Sequence, residues 1–249
     1  MLSKGELKYY SSLLRKKERE NEKKFIAEGK RIVEEGLKSN FICEVIICTE
    51  MFLEKNRQFL QSHSARIETV NEGDFLKLSD TDNPQGILGV FHQIQSPDKL
   101  IPDSGLIVFL ENISDPGNAG TILRNCDWFG VTTVIFNNQC VEPYNPKVVR
   151  SSMGSLFHLD VHEVSDTLQI LREMKDRRYK IICADLDGQN LYDFQPDNKS
   201  ALILSSEAFG PSSDVLNLSE IILSIPQKGK AESLNVASAS AVILAHLTK

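Results

Sequence analysis

The sequence predicts an α/β protein of two domains, the second of which is built on a parallel sheet. Its 249 residues exceed the usual size of a single domain. Apolar, strand-like runs alternate with helical segments along most of the chain. The segment 95–105 interrupts them with two prolines and little periodicity, which is typical of a linker. We therefore expect domains at residues 1–95 and 106–249, joined by a linker at 96–105.

The first domain begins with a helix at Ser3, because Glu6 stands three residues later and completes a capping box. The run Cys43–Cys48 is rich in β-branched residues and predicts a strand. The other expected elements are strands at 25–27, 66–70 and 86–91 and helices at 30–37 and 51–61. Together they predict an α/β domain of modest size.

The second domain continues the alternation with apolar strands. Strands are expected at 106–110, 131–136, 156–161, 180–184, 201–204 and 221–225, and helices at 119–128, 147–152, 166–176 and from 233 onwards. Apolar strands that alternate with helices indicate a parallel sheet covered on both faces. Ligands of such sheets usually bind beyond the carboxyl ends of the strands. The loops that follow the strands are therefore where we expect the chemistry.

The composition restricts the class of protein. The net charge is −6 and hydrophobic residues make up 41% of the chain, which is ordinary for a globular protein. No apolar run approaches the roughly 18 residues of a membrane span, and the first residues are too charged for a signal peptide. We expect a cytoplasmic protein without a membrane partner. The five cysteines are odd in number and lack a C-x-x-C pair, so buried free thiols are expected ahead of disulfides or zinc ligands.

The basic residues are concentrated near the N-terminus. Positions 4–31 hold ten Lys or Arg against five Glu, in a chain that is acidic as a whole. Such a basic face can bind a polyanion. A solvated helix stabilised by Glu–Lys pairs has the same composition, and charge alone favours neither interpretation.

Three loops of the second domain carry polar residues directly after strands. The first holds Asn118 and Arg124, the second Glu207, and the third Ser233 and Asn235. Each residue alone has an ordinary interpretation as a helix cap or a surface side chain. The sequence lacks a glycine fingerprint for nucleotides, a P-loop and the H-E-x-x-H motif, so a nucleotide-binding oxidoreductase is disfavoured. Together the loops predict one binding site at the sheet edge.

The three loops resemble, in order, the motifs of the SpoU (TrmH-type) RNA 2′-O-ribose methyltransferases, which belong to the knotted SPOUT superfamily. The matching residues are Asn118-x-Gly120-x-x-x-Arg124, Glu207-x-x-Gly210 and Pro226-x-x-Gly229-x-x-x-Ser233-Leu234-Asn235-Val236. Phe25-x-x-Glu28-Gly29 is similar to the start of the family's ribosomal-protein-like substrate-binding domain. The resemblance implies this N-terminal α/β domain at 1–95 and a SPOUT domain with a C-terminal trefoil knot at 106–249. Periodicity does not predict a knot.

The resemblance implies S-adenosylmethionine as the cofactor, held largely by backbone atoms. The residues that it assigns to cofactor binding are Ser205, Gly210, Ile225, Gln227 and Leu234. The chain departs from the family pattern at Ser205 and Ala208, where Gly is usual, and at Gln227, where Met is frequent.

The resemblance also implies roles in methyl transfer to a ribose 2′-hydroxyl. A guanidinium stays protonated in proteins, so we expect Arg124 to hold the neighbouring phosphate and to favour the developing alkoxide. Asn118 would orient Arg124, and Glu207 would fix the same network or accept a ribose hydrogen bond. Ser233 and Asn235 would cap the last helix and shape the site.

No metal is expected, because a methyl group on a sulfonium is already activated. His158, Asp160 and His162 alternate along an expected strand and suggest a metal site. The solvent-facing side of an edge strand gives the same pattern, and we favour that interpretation. Cys140 is expected to be a structural thiol.

RNA is the expected partner, with ribosomal RNA favoured over transfer RNA because of the N-terminal domain. The residues expected to bind RNA phosphates are Lys4, Arg15, Lys16, Lys147 and Arg150. The family also implies a homodimer formed through the knot region. Two alternatives remain open: a transfer RNA 2′-O-methyltransferase, and a non-catalytic RNA-binding or ribosome-assembly protein with the same fold.

Overall fold

The computed structural model describes residues 2–94 and 100–249. The expected linker at 96–105 therefore lies partly outside the described residues. The chain divides into two compact units. The first comprises Met1–Gln95 with Tyr144–Phe157, and the second comprises Ser96–Pro143 with His158–Lys249.

The first unit is an α/β unit with a mixed four-stranded sheet. Its N-terminal part contains α1 (Lys4–Ser12), α2 (Lys16–Glu22), β1 (Lys24–Glu28), α3 (Lys30–Lys38), β2 (Cys43–Thr49), α4 (Glu50–Lys55), α5 (Arg57–Gln61), β3 (Ile67–Val70), α6 (Glu72–Leu76) and β4 (Ile87–His92). The strand order is β1-β4-β2-β3. Strand β4 runs antiparallel to both β1 and β2, whereas β2 and β3 are parallel.

Local signals explain where the first helices begin and end. Ser3 and Glu6 form the expected capping box: the Glu6 N–H donates to Ser3 Oγ (3.2 Å) and the Ser3 N–H donates to Glu6 Oε2 (2.9 Å). The single helix expected at 51–61 is wrong, since α4 and α5 are separated at Asn56. The Asn56 side chain donates to the Phe52 carbonyl (3.1 Å), and asparagine often interrupts helices by such local bonds.

The second unit has a six-stranded sheet in the order β10-β8-β9-β5-β6-β7, and every strand pair is parallel. Its elements are β5 (Gly105–Glu111), α7 (Pro116–Trp128), β6 (Thr133–Asn137), β7 (Asp160–Val164), α9 (Thr167–Asp176), β8 (Lys180–Asn190), β9 (Lys199–Ser205), α10 (Ser213–Leu218), β10 (Ile221–Ser224) and α11 (Val236–Leu247), with a short 3-10 helix at Leu191–Asp193. The chain leaves this unit after β6 for the segment 144–157, which contains α8 (Pro146–Ser151). The prediction of a parallel sheet is confirmed.

The segment 144–157 belongs to the first unit because its aromatic side chains are buried there. The Phe25 ring lies 4.8 Å from the Tyr144 ring and 5.9 Å from the Phe157 ring, measured between centroids. Gly36 permits this packing, since a Cβ there would come within 2.5 Å of Phe91 Cζ and within 2.8 Å of Phe157 Cζ. The strand expected at 156–161 is wrong: Ser155–His158 form a 3-10 helix, and β7 begins only at Asp160.

The sheet of the second unit positions the functional loops. β5 and β9 pair from Gly105 opposite Lys199 to Glu111 opposite Ser205, so their carboxyl ends lie side by side. The core on either side of them is apolar, and Phe109 is fully buried. Within residues 2–94 and 100–249, no helix is both long enough and apolar enough to cross a membrane.

The described cysteines are free thiols, and all but Cys43 are buried. Burial raises the pKa of Cys48 to about 11, and it raises that of Cys140 to about 11 against backbone hydrogen bonds that lower it. The Cys140 thiol donates to the Leu110 carbonyl (3.2 Å) and accepts from the Ile113 N–H (3.2 Å). Cys140 therefore acts as a structural bridge between two loops.

Candidate active site

Two helix N-termini form the frame of the site. Asp115 caps α7, where its carboxylate accepts from the Asn118 N–H at 2.7 Å. Asn235 caps α11 by accepting from the N–H groups of Ala237 (3.1 Å) and Ser238 (3.3 Å). Asp and Asn are favoured caps because their oxygens satisfy N–H groups that the helix leaves unpaired. The expectation that Ser233 also caps the last helix is wrong, since α11 begins at Val236.

The three predicted loops meet at one carboxylate oxygen. Glu207 Oε1 accepts from Asn118 Nδ2 (3.0 Å), from Asn235 Nδ2 (2.8 Å) and from the Val236 N–H (3.0 Å). Asn235 Nδ2 also donates to Asn118 Oδ1 (2.9 Å). We call Asn118, Glu207 and Asn235 the amide–carboxylate cluster. Its negative charge faces the N-terminus of α11, where the helix dipole favours an anion.

Arg124 lies on α7 outside this cluster. Six helical residues turn a side chain by about 240°, so Asn118 and Arg124 point in directions about 120° apart. Arg124 is exposed and makes no hydrogen bond or ion pair with the described part of the chain. The expectation that Asn118 orients Arg124 is therefore not met, because the Asn118 amide is used by Glu207 and Asn235.

Asn125 is a site residue that the sequence reasoning missed. It follows Asn118 by seven residues, so both side chains lie on the same face of α7. Asn125 Nδ2 donates to the Ala237 carbonyl (2.9 Å) and to Ser240 Oγ (2.9 Å). The seven-residue spacing of two asparagines was the available signal. Asn125 therefore joins α7 to α11, the two helices that carry Asn118 and Asn235 at their N-termini.

A cavity of about 370 Å³ opens beside the cluster. It is lined by the second and third loops, by the ends of the strands before them, by part of β8 and by α11. All five residues expected to bind the cofactor contribute to its wall: Ser205, Gly210, Ile225, Gln227 and Leu234. Glu207 and Ser233 also line it, whereas Asn118, Arg124 and Asn235 do not.

The cavity wall combines apolar surface with few charges. Leu204, Leu223 and Ile243 contribute apolar side chains. Besides Glu207, its charged residues are Asp185, Lys228 and Glu232. With three carboxylates against one ammonium, the wall is suited to a largely apolar ligand that also carries a positive charge.

The third loop is held by one of its own side chains. Gln227 Nε2 donates to the Gly229 carbonyl (3.1 Å) and to the Ala231 carbonyl. These two bonds join Pro226-side and helix-side parts of the third loop, so the Gln227 side chain helps to hold the loop in its shape.

Glu111 is a second residue that the sequence reasoning missed. It ends β5 and is only 3% exposed. Its carboxylate accepts from Ser205 Oγ (2.8 Å) and from Ser212 Oγ (2.7 Å). A glutamate at a strand end resembles many surface residues, so nothing local in the sequence distinguished it.

The residues expected to bind RNA all belong to the first unit. Lys4, Arg15 and Lys16 come from the N-terminal helices, while Lys147 and Arg150 come from α8. Three of them form ion pairs with N–O distances of 3.6 Å: Arg15 Nη2 with Glu18 Oε1, Lys16 Nζ with Glu20 Oε1, and Arg150 Nη1 with Asp80 Oδ2. Glu–Lys pairing on a solvated helix is thus present on α2, and these exposed pairs contribute little stability.

The histidines and aspartate that suggested a metal site are dispersed. His158 lies in the 3-10 helix, and its Nδ1 contacts Asp127 Oδ2 at 2.9 Å. His162 is buried in β7, and this burial lowers its pKa, whereas Asp160 is exposed. Among residues 2–94 and 100–249, no group of three His, Cys, Asp or Glu side chains could hold a metal ion.

Comparison with known families bears on this geometry. The family model described as the SpoU rRNA Methylase family matches residues 105–245. This chain belongs to that family. A second model, described as an MRM3-like substrate binding domain, matches residues 4–89. The predicted family is confirmed, and with it the prediction that the chain is an RNA methyltransferase.

Individual relatives match nearly the whole chain of this SpoU family member. The Bacillus subtilis 23S rRNA (guanosine(2553)-2′-O)-methyltransferase RlmP is 30% identical over 243 residues, which cover 97% of this chain and 95% of the relative. A solved structure of a TrmH-family protein from Porphyromonas gingivalis is 32% identical, covers 99% of this chain and 98% of its own, and has a TM-score of 0.88.

A third structure extends the comparison to a bound ligand. The AdoMet-bound rRNA methyltransferase from Sinorhizobium meliloti is 25% identical, with a TM-score of 0.86, and covers 99% of this chain and 95% of its own. The α/β fold with a parallel-sheet, SPOUT-like second unit is therefore confirmed.

Proposed function

We propose that this chain transfers a methyl group from S-adenosylmethionine to a ribose 2′-hydroxyl of ribosomal RNA. The observation that carries the proposal is the amide–carboxylate cluster beside the cavity of about 370 Å³. The B. subtilis relative is named as a 23S rRNA 2′-O-methyltransferase, and the S. meliloti relative is described with AdoMet bound. Both support this reaction.

The cavity residues suit S-adenosylmethionine. Its apolar wall at Leu204, Leu223 and Ile243 fits an adenine ring, while the carboxylates of Asp185 and Glu232 can accept hydrogen bonds from hydroxyl or ammonium groups. The cofactor, when bound, supplies a methyl group that its sulfonium has already activated. Backbone atoms of five residues would hold it: Ser205, Gly210, Ile225, Gln227 and Leu234.

Glu207 is suited to contact the ribose. Its Oε1 accepts three hydrogen bonds, whereas its Oε2 accepts none from the described residues. Oε2 therefore remains able to accept a hydrogen bond from a substrate hydroxyl and to orient it. Asn118 and Asn235 keep the carboxylate in place, and Ser233 completes the wall beside it.

Arg124 supplies the positive charge that the cluster lacks. It would hold the phosphate next to the target ribose and stabilise the alkoxide as the hydroxyl loses its proton. Arg124 does not line the cavity of its own chain. It shares a face of α7 with Trp128, one helical turn away and 83% exposed. We propose a homodimer in which this face meets a second copy and Arg124 completes that copy's site.

The finer domain assignment is part of the same proposal. Residues 1–95 bind the RNA substrate, 96–105 join the domains, and 106–249 form the methyltransferase domain with a C-terminal trefoil knot, although the segment 144–157 of this range packs in the first unit. The match of residues 4–89 to a substrate-binding domain supports the first assignment. Five cations would bind RNA phosphates: Lys4, Arg15, Lys16, Lys147 and Arg150. A cytoplasmic location accords with an RNA substrate of this kind.

Nucleoside mass spectrometry of RNA from cells that lack the gene tests the proposal. We expect one 2′-O-methylated nucleotide to disappear from ribosomal RNA and to return when the gene is restored. Loss from transfer RNA instead would favour the transfer RNA methyltransferase.

Isothermal titration of the purified chain separates the enzyme from a non-catalytic RNA-binding protein. The enzyme requires that S-adenosylmethionine binds. Absence of cofactor binding together with unchanged RNA methylation would favour the ribosome-assembly alternative.

A further inference from the structure

We propose that Glu111 is a positioning residue for methyl transfer. It holds both ends of the loop 206–211 and so determines where Glu207 stands. The inference rests on the proposed function for the reaction in which Glu207 takes part. The hydrogen bonds from Ser205 and Ser212 to the Glu111 carboxylate, which we call the clamp, do not depend on that reaction.

The Glu111 carboxylate accepts three hydrogen bonds, which come from the two ends of the loop. Ser205 Oγ donates to Oε2 at 2.8 Å, just before the loop begins. At the far end, Ser212 Oγ donates to Oε1 at 2.7 Å and the Ser212 N–H donates to Oε2 at 3.3 Å. A carboxylate that is 3% exposed and accepts three hydrogen bonds from the protein is poorly placed to bind substrate. Its effect therefore passes through the loop.

The two ends of the loop depend on Glu111 to different degrees. The start is also fixed by the sheet, because Ser205 pairs with Glu111 and the Ser206 N–H donates to the Glu111 carbonyl at 3.1 Å. Ser212, at the other end, caps the short helix α10 and meets β5 through the Glu111 side chain. Glu207 lies between these two anchors. Removing the carboxylate would take away the side-chain hydrogen bonds that tie the far end to β5.

Ser205 explains how the buried charge is tolerated. No cation pairs with Glu111 among the described residues, so hydroxyl and amide donors must stabilise its negative charge. The glycine that the family usually has at position 205 lacks such a donor. The serine is therefore a compensating partner of Glu111, because its hydroxyl donates to the buried carboxylate.

Two substitutions distinguish the hydrogen bonds of Glu111 from its negative charge. Glutamine in Glu111→Gln can accept from Ser205 Oγ and the Ser212 N–H through its oxygen and donate to Ser212 Oγ through its nitrogen. We expect kcat to stay within about threefold of the wild type. Methionine in Glu111→Met fills similar space without acceptors, and we expect kcat to fall at least about tenfold with little change in the KM for RNA. Glu220→Met, on the surface of the same unit, is the matched control and should change neither parameter.

A double-mutant cycle with Glu207→Gln tests whether Glu111 acts through Glu207. If it does, Glu111→Met costs much less than tenfold once Glu207 has been replaced. Fully additive losses would overturn the proposal, and so would wild-type kcat in a folded Glu111→Met variant. If Glu111→Gln is as impaired as Glu111→Met, charge rather than position is responsible, which also overturns it.

Should Glu111→Met not fold, the double variant Ser205→Ala with Ser212→Ala removes both hydroxyl donors and takes its place in the cycle.

Amide hydrogen exchange of residues 206–211 needs no activity at all. We expect exchange to accelerate at least about tenfold in Glu111→Met and to remain unchanged in Glu220→Met. Equal protection in wild type and Glu111→Met would refute the clamp. A wild type that binds no S-adenosylmethionine would refute the proposed function instead, whatever the exchange shows.

Discussion

Two carboxylates, one in each unit, have opposite kinds of neighbours. Glu44 in the first unit contacts the Lys24 ammonium and accepts from the Tyr10 hydroxyl at 3.0 Å. Glu207 in the second unit is held by amide and backbone N–H donors, and no described cation pairs with it. The first charge is neutralised within the chain, whereas the second is oriented but left uncompensated.

This difference in partners predicts that Glu44 contributes to stability and Glu207 to function. A compensated pair such as Glu44 with Lys24 has nothing left to offer a ligand, and its effect is on folding. An oriented carboxylate with a free oxygen can serve a substrate, and the cation that complements it can come from outside the chain. The following substitutions test this distinction, beginning with the largest expected effect.

Arg124→Ala removes the cation proposed to complement the Glu207 site. Loss of one preorganised group that stabilises developing charge costs roughly 10²–10³ in kcat, so we expect methyl transfer to fall at least about a hundredfold. Affinity for S-adenosylmethionine, measured by calorimetry, should stay nearly unchanged. Arg172→Ala, an exposed arginine on α9, is the control. Near-normal turnover of Arg124→Ala would mean that Arg124 does not act in the reaction.

Salt tests the cations of the first unit. If five of them release counterions from RNA, affinity should fall about a hundredfold between 50 and 200 mM salt. Replacing Lys147 and Arg150 together by alanine should lower the slope of log affinity against log salt concentration, by the amount that corresponds to about two phosphate contacts. A binding constant that does not change with salt would mean that these cations do not bind RNA phosphates.

Asn235→Asp replaces a hydrogen-bond donor to Glu207 by a second negative charge. The aspartate oxygens can still cap α11, but one carboxylate would then face Glu207 across about the present 2.8 Å. We expect kcat to fall at least about tenfold, with partial recovery at lower pH, where the two groups share a proton. Asn235→Ala loses the cap as well and should lower the free energy of unfolding by about 1 kcal/mol. If Asp and Ala were equally active at every pH, repulsion at Glu207 would play no part.

Glu44→Gln is expected to have the smallest effect, and on stability alone. Burial by itself would raise the pKa of Glu44, but the Lys24 ammonium and the Tyr10 hydroxyl together lower it below its usual range. A carboxylate whose pKa is lower in the folded state stabilises the protein above its unfolded pKa, and this contribution is lost as pH falls through the folded pKa. The difference in free energy of unfolding should therefore be about 1 kcal/mol or less at neutral pH and shrink below about pH 5.

Urea denaturation of wild type, Glu44→Gln and the surface control Glu54→Gln at pH 7 and at low pH would measure this difference. A gap between wild type and Glu44→Gln that widens on acidification would have the wrong sign for this linkage. Methyl transfer by Glu44→Gln should equal that of the wild type, in contrast to the variants at the second carboxylate.

The sequence predicted most of the fold because the signals were local. The capping box at Ser3, the apolar strands and the alternation of the second unit needed only neighbouring residues. The failures also had local causes. Asn56 divided a helix, and Phe157 was read as part of a strand because it is apolar, although it is buried in the first unit.

Residue types and spacing also determined the family and the three loops that form the candidate site. Asn118, Glu207 and Asn235 could be singled out because polar residues after parallel strands meet at one edge of a sheet. Only the tertiary structure decided how those side chains divide their hydrogen bonds: Asn118 turns to Glu207 and away from Arg124, while the buried Glu111 holds the loop. Burial and hydrogen-bond partners depend on residues about a hundred positions apart, and no local pattern encodes them.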